Sequence, residues 1–383
     1  MQKALFKRRT AAVLCAAGFA VVLLHTETAA EAVRQGLHLC GQSVLPALFP
    51  MMFLAQYFVR SGGAEEAGQL LECPTRTLLG LPGICGAVLL TALVGGFPAG
   101  AAGAEALVRQ GRISRRQGER LMTIAFCSGP GFTVGLIGAQ LYHNKMTGLL
   151  ILTAQVFSCI IIGIAGHLLN GITKKRGQRT KEARGEHPFH ASSVTLSRSG
   201  AFVEAVSSAS SAVLAMCGFI VLFQVFNAMI TVEGAWLHCL LFRYMGRDYP
   251  DVTLPLSCLT EVTGGSVLSV RWGLPFTAFV VGFGGLSVHF QNFAICETIA
   301  PRKGFYLAVR LVQGCICAAL TEAGLRLPFF AQYCVPAAAA VSEGLSAQFS
   351  DVSGTFGALF LVMCLMSVLC LPDDLCNEGK MRQ

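Results

Sequence analysis

Long apolar runs separated by short polar loops dominate the chain. The runs cover about residues 11–24, 37–59, 78–108, 121–141, 146–169, 202–230, 254–273, 276–299, 304–325 and 352–371. Many approach or exceed the ~20 apolar residues that a helix needs to cross a bilayer. Because the runs are continuous rather than alternating, they argue against a membrane β-barrel. The pattern predicts an all-α integral membrane protein, a polytopic helical bundle.

Four glycine-rich stretches break these runs, two in each half of the chain. They cover residues 95–101, 126–132, 261–266 and 282–289. Glycine costs roughly 1 kcal/mol and proline roughly 3 kcal/mol in a helix interior, so a plain anchor helix does not favour them. Irregular backbone at membrane depth is tolerated where it is buried in protein or lines a cavity. We therefore expect the four breaks to form the substrate site of a transporter.

The two N-terminal runs carry their own signals. The first follows four basic residues and precedes small residues at 28–30, which also fits a cleaved signal peptide. We favour an uncleaved first span, because the rest of the chain is equally apolar. In the second run, Pro46 and Pro50 lie about one turn apart and predict a kink or an unwound turn.

The positions of the basic loops predict the topology. One loop carries five arginines within residues 109–120, and a second basic loop covers residues 174–184. Both are expected to be cytoplasmic, as are the two termini. A single crossing by residues 78–108 would put the first loop outside. We therefore predict a re-entrant hairpin there, with its glycine- and proline-rich tip at residues 97–100.

The second half repeats this plan in the opposite orientation. Its order is a span, a hairpin at 254–273, a broken span and a further span, which is the inverted-repeat architecture of secondary transporters. An unrelated bundle with irregular helices is the alternative. The predicted divisions are an N-terminal span at 1–30, repeat 1 at 31–170, a basic cytoplasmic linker at 171–200, repeat 2 at 201–325, and a C-terminal span and tail at 326–383.

Composition supports a membrane protein and excludes other classes. Of the 383 residues, 54% are hydrophobic and 13% are charged, against about 25% charged in soluble domains. The net charge of +8 lies in short loops, which indicates topology rather than nucleic-acid binding. The sixteen cysteines include no CxxC pair, so we expect them to serve mainly as small buried hydrophobic residues.

The candidate substrate-binding residues all lie on the four breaks. They are Gly96, Phe97, Pro98, Gly100, Ser128, Gly129, Gly131, Glu261, Thr263, Gly264, Gly265, Ser266, Ser287, His289 and Asn292. Residues 128–131 and 263–266 mark half-helix ends, whose N–H groups and partial positive charge bind carboxylate or phosphate. The alternative is that these glycines serve only close helix packing.

Three ionisable residues within or beside the breaks carry separate hypotheses. An intramembrane carboxylate is functional by default, so Glu261 is expected to bind a proton, Na⁺ or the substrate, unless it lies in water at the hairpin mouth. His289 and Asn292 share a helix face and either line the site or fill structural roles. Glu105 is expected to pair with Arg109, four residues on.

Enzyme chemistry finds no support in the sequence. We find no Walker A motif, no HExxH and no nucleophile elbow, so we expect no catalytic residues and no cofactor, with H⁺ or Na⁺ as the coupling ion. The expected partners are a small solute and the lipid bilayer, but no nucleic acid, and a homo-oligomer is left open.

Four motifs in order carry a resemblance to a known family. Residues 45–50, 95–101, 127–132 and 261–265 resemble the sporulation integral membrane protein family called YlbJ, also stage V sporulation protein V. The resemblance covers about residues 35–320. It implies a nucleoside-recognition (gate) domain in each half and a plan similar to concentrative nucleoside transporters. It also implies movement of dipicolinic acid across the outer forespore membrane during spore formation.

These observations together predict a transporter of a small anionic or nucleoside-like solute in a multi-pass bacterial cell membrane. Dipicolinic acid is the favoured cargo, since opposed half-helix N-termini suit two carboxylates and Phe97, Phe132 and Phe283 are able to stack on a ring. The alternatives are a nucleoside or nucleobase carrier, a non-transporting assembly or signalling protein of sporulation, and, third, a membrane-embedded enzyme.

Overall fold

A computed structural model of the chain describes residues 2–176, 198–245 and 253–334. Every regular element within these ranges is a helix, so the prediction of an all-α protein is confirmed. Most of the predicted linker at 171–200 and the predicted C-terminal span at 352–371 lie outside the described residues.

The described residues form α-helices of very different lengths. In the first half they are α1 (Gln2–Leu24), α2 (Thr26–Leu39), α3 (Leu45–Arg60), α4 (Gly63–Leu70), α5 (Glu72–Leu79), α6 (Ile84–Gly95), α7 (Phe97–Arg109), α8 (Arg115–Ile124) and α9 (Lys145–Arg176). In the second half they are α10 (Arg198–Met245), α11 (Thr253–Thr260), α12 (Val262–Ser269), α13 (Leu274–Phe283), α14 (Gly285–Ile295) and α15 (Lys303–Leu325).

Five helical stretches of the described residues are long and apolar enough to cross a membrane. They are Thr26–Arg60, Lys145–Leu169, Ser199–Val232, Leu274–Ile295 and Lys303–Leu325. The multi-pass architecture is therefore confirmed. The predicted first span lies in α1, a helix of 23 residues that includes the basic N-terminal segment.

The irregularity predicted at the two prolines is present. The long stretch from Thr26 to Arg60 contains a π-helical turn at Cys40–Val44, between α2 and α3. Pro46 lacks an N–H group, and its ring displaces the carbonyl of the fourth residue before it, which lies inside this turn. Pro50 is accommodated within α3.

The first predicted hairpin consists of α6 and α7, which pack against each other. Helices of 12 and 13 residues are about 18 and 20 Å long, too short to cross a hydrocarbon core of ~30 Å. The predicted tip at residues 97–100 is wrong by a few residues. The chain turns at Gly96, which has φ = +83°, and Pro98 lies in the first turn of α7, where a missing N–H group costs little.

The remaining breaks also interrupt helices. In the second predicted hairpin, α11 and α12 have eight residues each and meet at Glu261. The following apolar stretch divides into α13 and α14 at Gly284, which is left-handed with φ = +89°. In the first half, α8 ends before a non-helical segment at residues 125–128, and a π-helix, Gly131–Leu141, begins shortly after it.

Packing between distant helices closes the fold. Helix α15 lies along α13 and α9, while α10 packs on α2 and α3. Helix α7 packs on both α8 and α14, so the first hairpin contacts elements from both halves of the chain. The polar segment between α3 and α6 forms the short helices α4 and α5, and α4 packs on α6. The re-entrant course of the hairpins and the inverted repeat stay predictions.

Candidate functional site

The structure brings the four breaks together at one place. A Cβ atom added at Gly96 would lie 3.1 Å from the Ser128 carbonyl oxygen, which joins the first break to the second. One added at Gly285 would lie 2.8 Å from the Val262 backbone nitrogen, which joins the fourth break to the third. One added at Gly284 would lie 3.6 Å from the Phe97 ring. Backbone and rings from both halves therefore meet with almost no spare space.

A small cavity lies where these segments meet. Its volume, measured as space for the centre of a water molecule, is ≈ 20 Å³, which is room for about one water. Seven predicted residues line it: Gly96, Phe97, Pro98, Ser128, Glu261, Thr263 and Ser287. Phe132, which was expected to stack on the solute, lines it too, and seven lining residues were missed: Leu48, Gly95, Met216, Ile220, Val262, Val288 and Gln291. The cavity thus joins both hairpins with α3, α10 and α14.

Several other predicted residues serve close packing beside the cavity. A Cβ atom added at Gly100, Gly131 or Gly265 would collide with a backbone carbonyl of a neighbouring segment. One added at Gly129 would lie 3.1 Å from the Val94 carbonyl oxygen. Ser266 donates its hydroxyl to the Val262 carbonyl oxygen at 2.6 Å. For these positions the packing role of small residues accounts for the glycine or serine.

Glu261 caps helix α12 with its own side chain. Its Oε1 accepts a hydrogen bond from the Thr263 N–H at 2.8 Å, and its Oε2 accepts one from the Gly264 N–H at 2.6 Å. The residue is 1% exposed, so the alternative of a carboxylate in water at the hairpin mouth is wrong. The expectation that this half-helix end offers free N–H groups to an anion is corrected too, because two of these groups already bind Glu261.

The other helix beginnings beside the cavity have no such cap. Helix α7 begins after Gly96 and α14 after Gly284, and neither start receives a side-chain hydrogen bond at its N-cap. The π-helix that follows Pro130 begins in the same way. Helix N-termini carry a partial positive charge from unpaired N–H groups. The cavity therefore combines one buried carboxylate with two uncapped α-helix starts.

Ser128 links the cavity wall to α9 and α13 through hydrogen bonds. Its hydroxyl donates to the Gln155 Oε1 at 2.6 Å, and the Gln155 amide donates to the Val281 carbonyl oxygen at 3.0 Å. Gln155 lies on α9 and is fully buried. Sequence reasoning missed it, although an amide inside an apolar run was the available signal.

His289 and Asn292 lie behind the cavity wall rather than in it. The His289 ring packs between Phe126 and Phe283, with centroid distances of 5.7 and 4.9 Å. The Asn292 amide donates to the Tyr306 hydroxyl at 3.2 Å. Phe283 belongs to this aromatic layer and does not line the cavity, unlike Phe97 and Phe132. The shared face that was predicted for His289 and Asn292 exists, but it faces α15.

A buried arginine at this layer escaped the sequence prediction. Arg310 on α15 is 0% exposed, and its guanidinium lies 4.4 Å from the Phe126 ring centroid and 5.2 Å from that of Tyr306. It donates to the Thr123 carbonyl oxygen and to Gln313. A lone cation within the apolar run 304–325 was the signal, because ionisable residues in membrane segments are rare and functional.

On one side of the molecule, the first basic loop meets the loop after α14. Glu105 accepts hydrogen bonds from the Thr298 and Ile299 N–H groups at 2.9 and 3.1 Å, which replaces the predicted pairing with Arg109. Arg302 forms a 3.1 Å ion pair with Glu119. The basic residues at 109–120 and those at 302–303 therefore lie on the same side of the molecule, as the positive-inside rule requires if both are cytoplasmic.

Comparison with known proteins identifies one relative. The chain is 28% identical over 319 residues to the sporulation integral membrane protein YlbJ of Bacillus subtilis (strain 168), and the match covers 77% of each chain. The resemblance to the YlbJ family is confirmed. The matched protein's description, an integral membrane protein of sporulation, agrees with the multi-pass helical architecture. No protein-family model and no solved structure matches the chain, so the gate domains stay a prediction.

Proposed function

We propose that the protein is a carrier that moves a small solute across a bacterial membrane, with dipicolinic acid during sporulation as its cargo. The observation that supports this most is the convergence of four helix breaks, two from each half of the chain, on one cavity. Corresponding breaks in the two halves are typical of the binding site of secondary transporters. The relative's place in sporulation agrees with the cargo.

The small size of the cavity indicates that the proposed carrier is in a closed state. A space of ≈ 20 Å³ holds a water molecule but no organic solute. The proposed carrier is therefore in a closed state, and it takes up its solute when the two hairpins separate. Movement of one repeat against the other is the usual means of alternating access.

The lining groups suit an aromatic acid in part. Phe97 and Phe132 offer ring faces for stacking, and the hydroxyls of Ser128 and Ser287 lie on the same wall. The uncapped starts of α7 and α14 favour carboxylates. The Glu261 carboxylate, which is buried on the other hairpin, would repel a carboxylate of the solute. We propose that H⁺ or Na⁺ bound at Glu261 offsets this repulsion and couples transport to an ion gradient.

A nucleoside is the second candidate cargo, and the composition of the wall favours it. Glu261, Thr263 and Gln291 border the cavity together, and a carboxylate, a hydroxyl and an amide are partners for the neutral donors and acceptors of a ribose or a base. Such a solute has no charge for Glu261 to repel.

Uptake by proteoliposomes tests the proposal. Purified protein is reconstituted, and labelled dipicolinate and labelled uridine are added with and without an inward H⁺ or Na⁺ gradient. Dipicolinate uptake above that of protein-free vesicles, enhanced by one of the gradients, is the expected result. Uptake of uridine alone assigns the second cargo. Uptake of neither solute contradicts the carrier and favours the assembly or signalling alternative.

A further inference from the structure

Arg310 is a fully buried cation whose partners are all neutral. Its two terminal nitrogens donate to the Thr123 carbonyl oxygen and the Gln313 side-chain oxygen. Among the described residues no carboxylate forms an ion pair with it, and its Nε has no hydrogen-bond partner. Removing an ion from water carries a penalty of several kcal/mol, which an ion pair would offset. Two ring faces, each worth about 2 kcal/mol when desolvated, offset only part of it.

The neighbouring polar groups are also incompletely bonded. His289 is 1% exposed, and neither ring nitrogen has a partner among the described residues. The Asn292 Oδ1, in an equally buried residue, has none there either. Buried polar groups without partners are uncommon in folded proteins and call for an explanation. Two such residues beside a cation that is itself incompletely bonded indicate a site that is completed by a ligand.

One aromatic ring connects this cluster to the cavity. The Phe126 ring lies 4.5 Å from the ring of Phe97, which lines the cavity. Its other neighbours are the guanidinium of Arg310 at 4.4 Å and the His289 ring at 5.7 Å. Phe126 belongs to the non-helical segment 125–128, and Ser128, two residues further on, is itself part of the cavity wall. The Phe126 ring therefore contacts both the guanidinium and a ring that lines the cavity, so the guanidinium meets a solute only if this side chain moves.

We propose that Arg310 binds the carboxylate of the transported solute, which makes a small organic carboxylate the substrate class of this carrier. The inference rests on the proposed function. When the hairpins separate, the Phe126 ring turns aside and the solute carboxylate replaces it as the partner of the guanidinium, with His289 as an additional donor. In the closed state the Phe126 ring packs on the guanidinium. The attraction of Arg310 then counters the repulsion from Glu261.

A charge placed next to Arg310 tests this assignment without removing the arginine. Gln313→Glu converts the amide that already accepts from Arg310 into an internal counter-ion. We expect it to lower dipicolinate binding by at least about thirtyfold, the change that ~2 kcal/mol produces, while thermal stability is retained. Gln313→Met is the matched control, because like Gln313→Glu it removes the hydrogen bonds that the amide donates to Phe126 and Cys159 but adds no charge, and it should bind dipicolinate far better than Gln313→Glu. Arg310→Lys, which keeps the charge but loses the planar fork, should give an intermediate loss.

The readouts separate the failure of this inference from failure of the proposed function. Dipicolinate and uridine binding are measured by scintillation proximity on each detergent-purified variant, beside uptake by the wild-type protein. Equal dipicolinate binding by Gln313→Glu and wild type overturns the role of Arg310 and leaves the carrier intact. Equal losses in Gln313→Glu and Gln313→Met also overturn it, since the effect is then structural. A wild-type protein that transports uridine but not dipicolinate overturns the carboxylate class, and one that transports neither overturns the carrier as well.

Discussion

The Oε2 of Glu261 accepts a 2.6 Å hydrogen bond from the backbone N–H of Gly264, so the second hairpin stabilises its own tip. The carboxylate lies at the positive end of α12, where a negative charge is favourable. Because it is buried beside the cavity, the same group stabilises the hairpin and contributes a charge to the candidate site. The capping role predicts how a substitution of Glu261 changes the stability of the protein.

Glu261→Gln is expected to destabilise the protein. The amide keeps one acceptor oxygen, so one of the N–H groups of Thr263 and Gly264 loses its partner in a buried position, at a cost of about 1–3 kcal/mol. Thermal unfolding in detergent should show a lower midpoint. Glu322→Gln, which removes an exposed partner of Arg326, is the control and should change stability by less than about 0.5 kcal/mol. A Glu261→Gln protein as stable as the wild type would show that the cap contributes little.

Gly285→Ala should separate the fourth break from the third. The new methyl group would lie 2.8 Å from the Val262 backbone nitrogen, and Gly285 has φ = +74°, where a side chain is strained. Gly218 on α10 provides the matched control, because a Cβ atom there meets nothing within 4 Å. Gly218→Ala is expected to raise stability by up to about 1 kcal/mol. Gly285→Ala should lower the unfolding midpoint, and a midpoint at or above that of the control would contradict the close contact between the breaks.

The sequence was sufficient to predict the helices whose ends carry clear signals. The run at 304–325 became α15 at Lys303–Leu325, because a charged loop precedes it and a single apolar stretch follows. The breaks at Gly96 and Gly284 were also visible, since only glycine occupies positive φ without strain. The helices α4 and α5 had no such signal, because short polar helices depend on tertiary packing rather than on an apolar run.

The sequence did not reveal which side chains of a buried helix face the cavity. Helix α14 turns Ser287, Val288 and Gln291 towards the cavity, whereas His289 faces the aromatic layer. A helix with neighbours on several sides has no polar face that marks its orientation. Arg310 is a different case, because its charge within an apolar run was visible and its significance was overlooked.

Cysteine labelling tests the predicted topology of the first hairpin. Leu70 is 82% exposed and Arg116 is also exposed, on either side of the α6–α7 hairpin. In a background without native cysteines, Leu70→Cys and Arg116→Cys should react with a membrane-impermeant maleimide from the same side, the cytoplasm. The hairpin then enters and leaves on one face of the membrane. Reaction from opposite sides would mean that residues 78–108 cross once.

Glu105→Ala should loosen the loop after α14. The Glu105 carboxylate accepts hydrogen bonds from the Thr298 and Ile299 N–H groups. Without it, neither N–H group keeps this partner, and both become accessible to water. Hydrogen–deuterium exchange should therefore become faster at these two amides. Glu297→Ala, in the same loop and exposed, is the control and should leave the exchange rates unchanged. Unchanged exchange in Glu105→Ala would indicate that other contacts hold the loop.

Solute uptake by a cavity-filling variant tests the central claim most directly. Ser287 lines the cavity of ≈ 20 Å³, and the larger side chain of Ser287→Leu would occupy it. Gly218→Leu adds the same group to an exposed position on α10, with nothing within 4 Å of its Cβ. Both variants should insert in wild-type amounts. We predict that uptake of labelled dipicolinate, or of uridine if that is the cargo, falls to the protein-free level in Ser287→Leu and stays normal in Gly218→Leu. Wild-type uptake by Ser287→Leu would contradict a solute site at the four breaks.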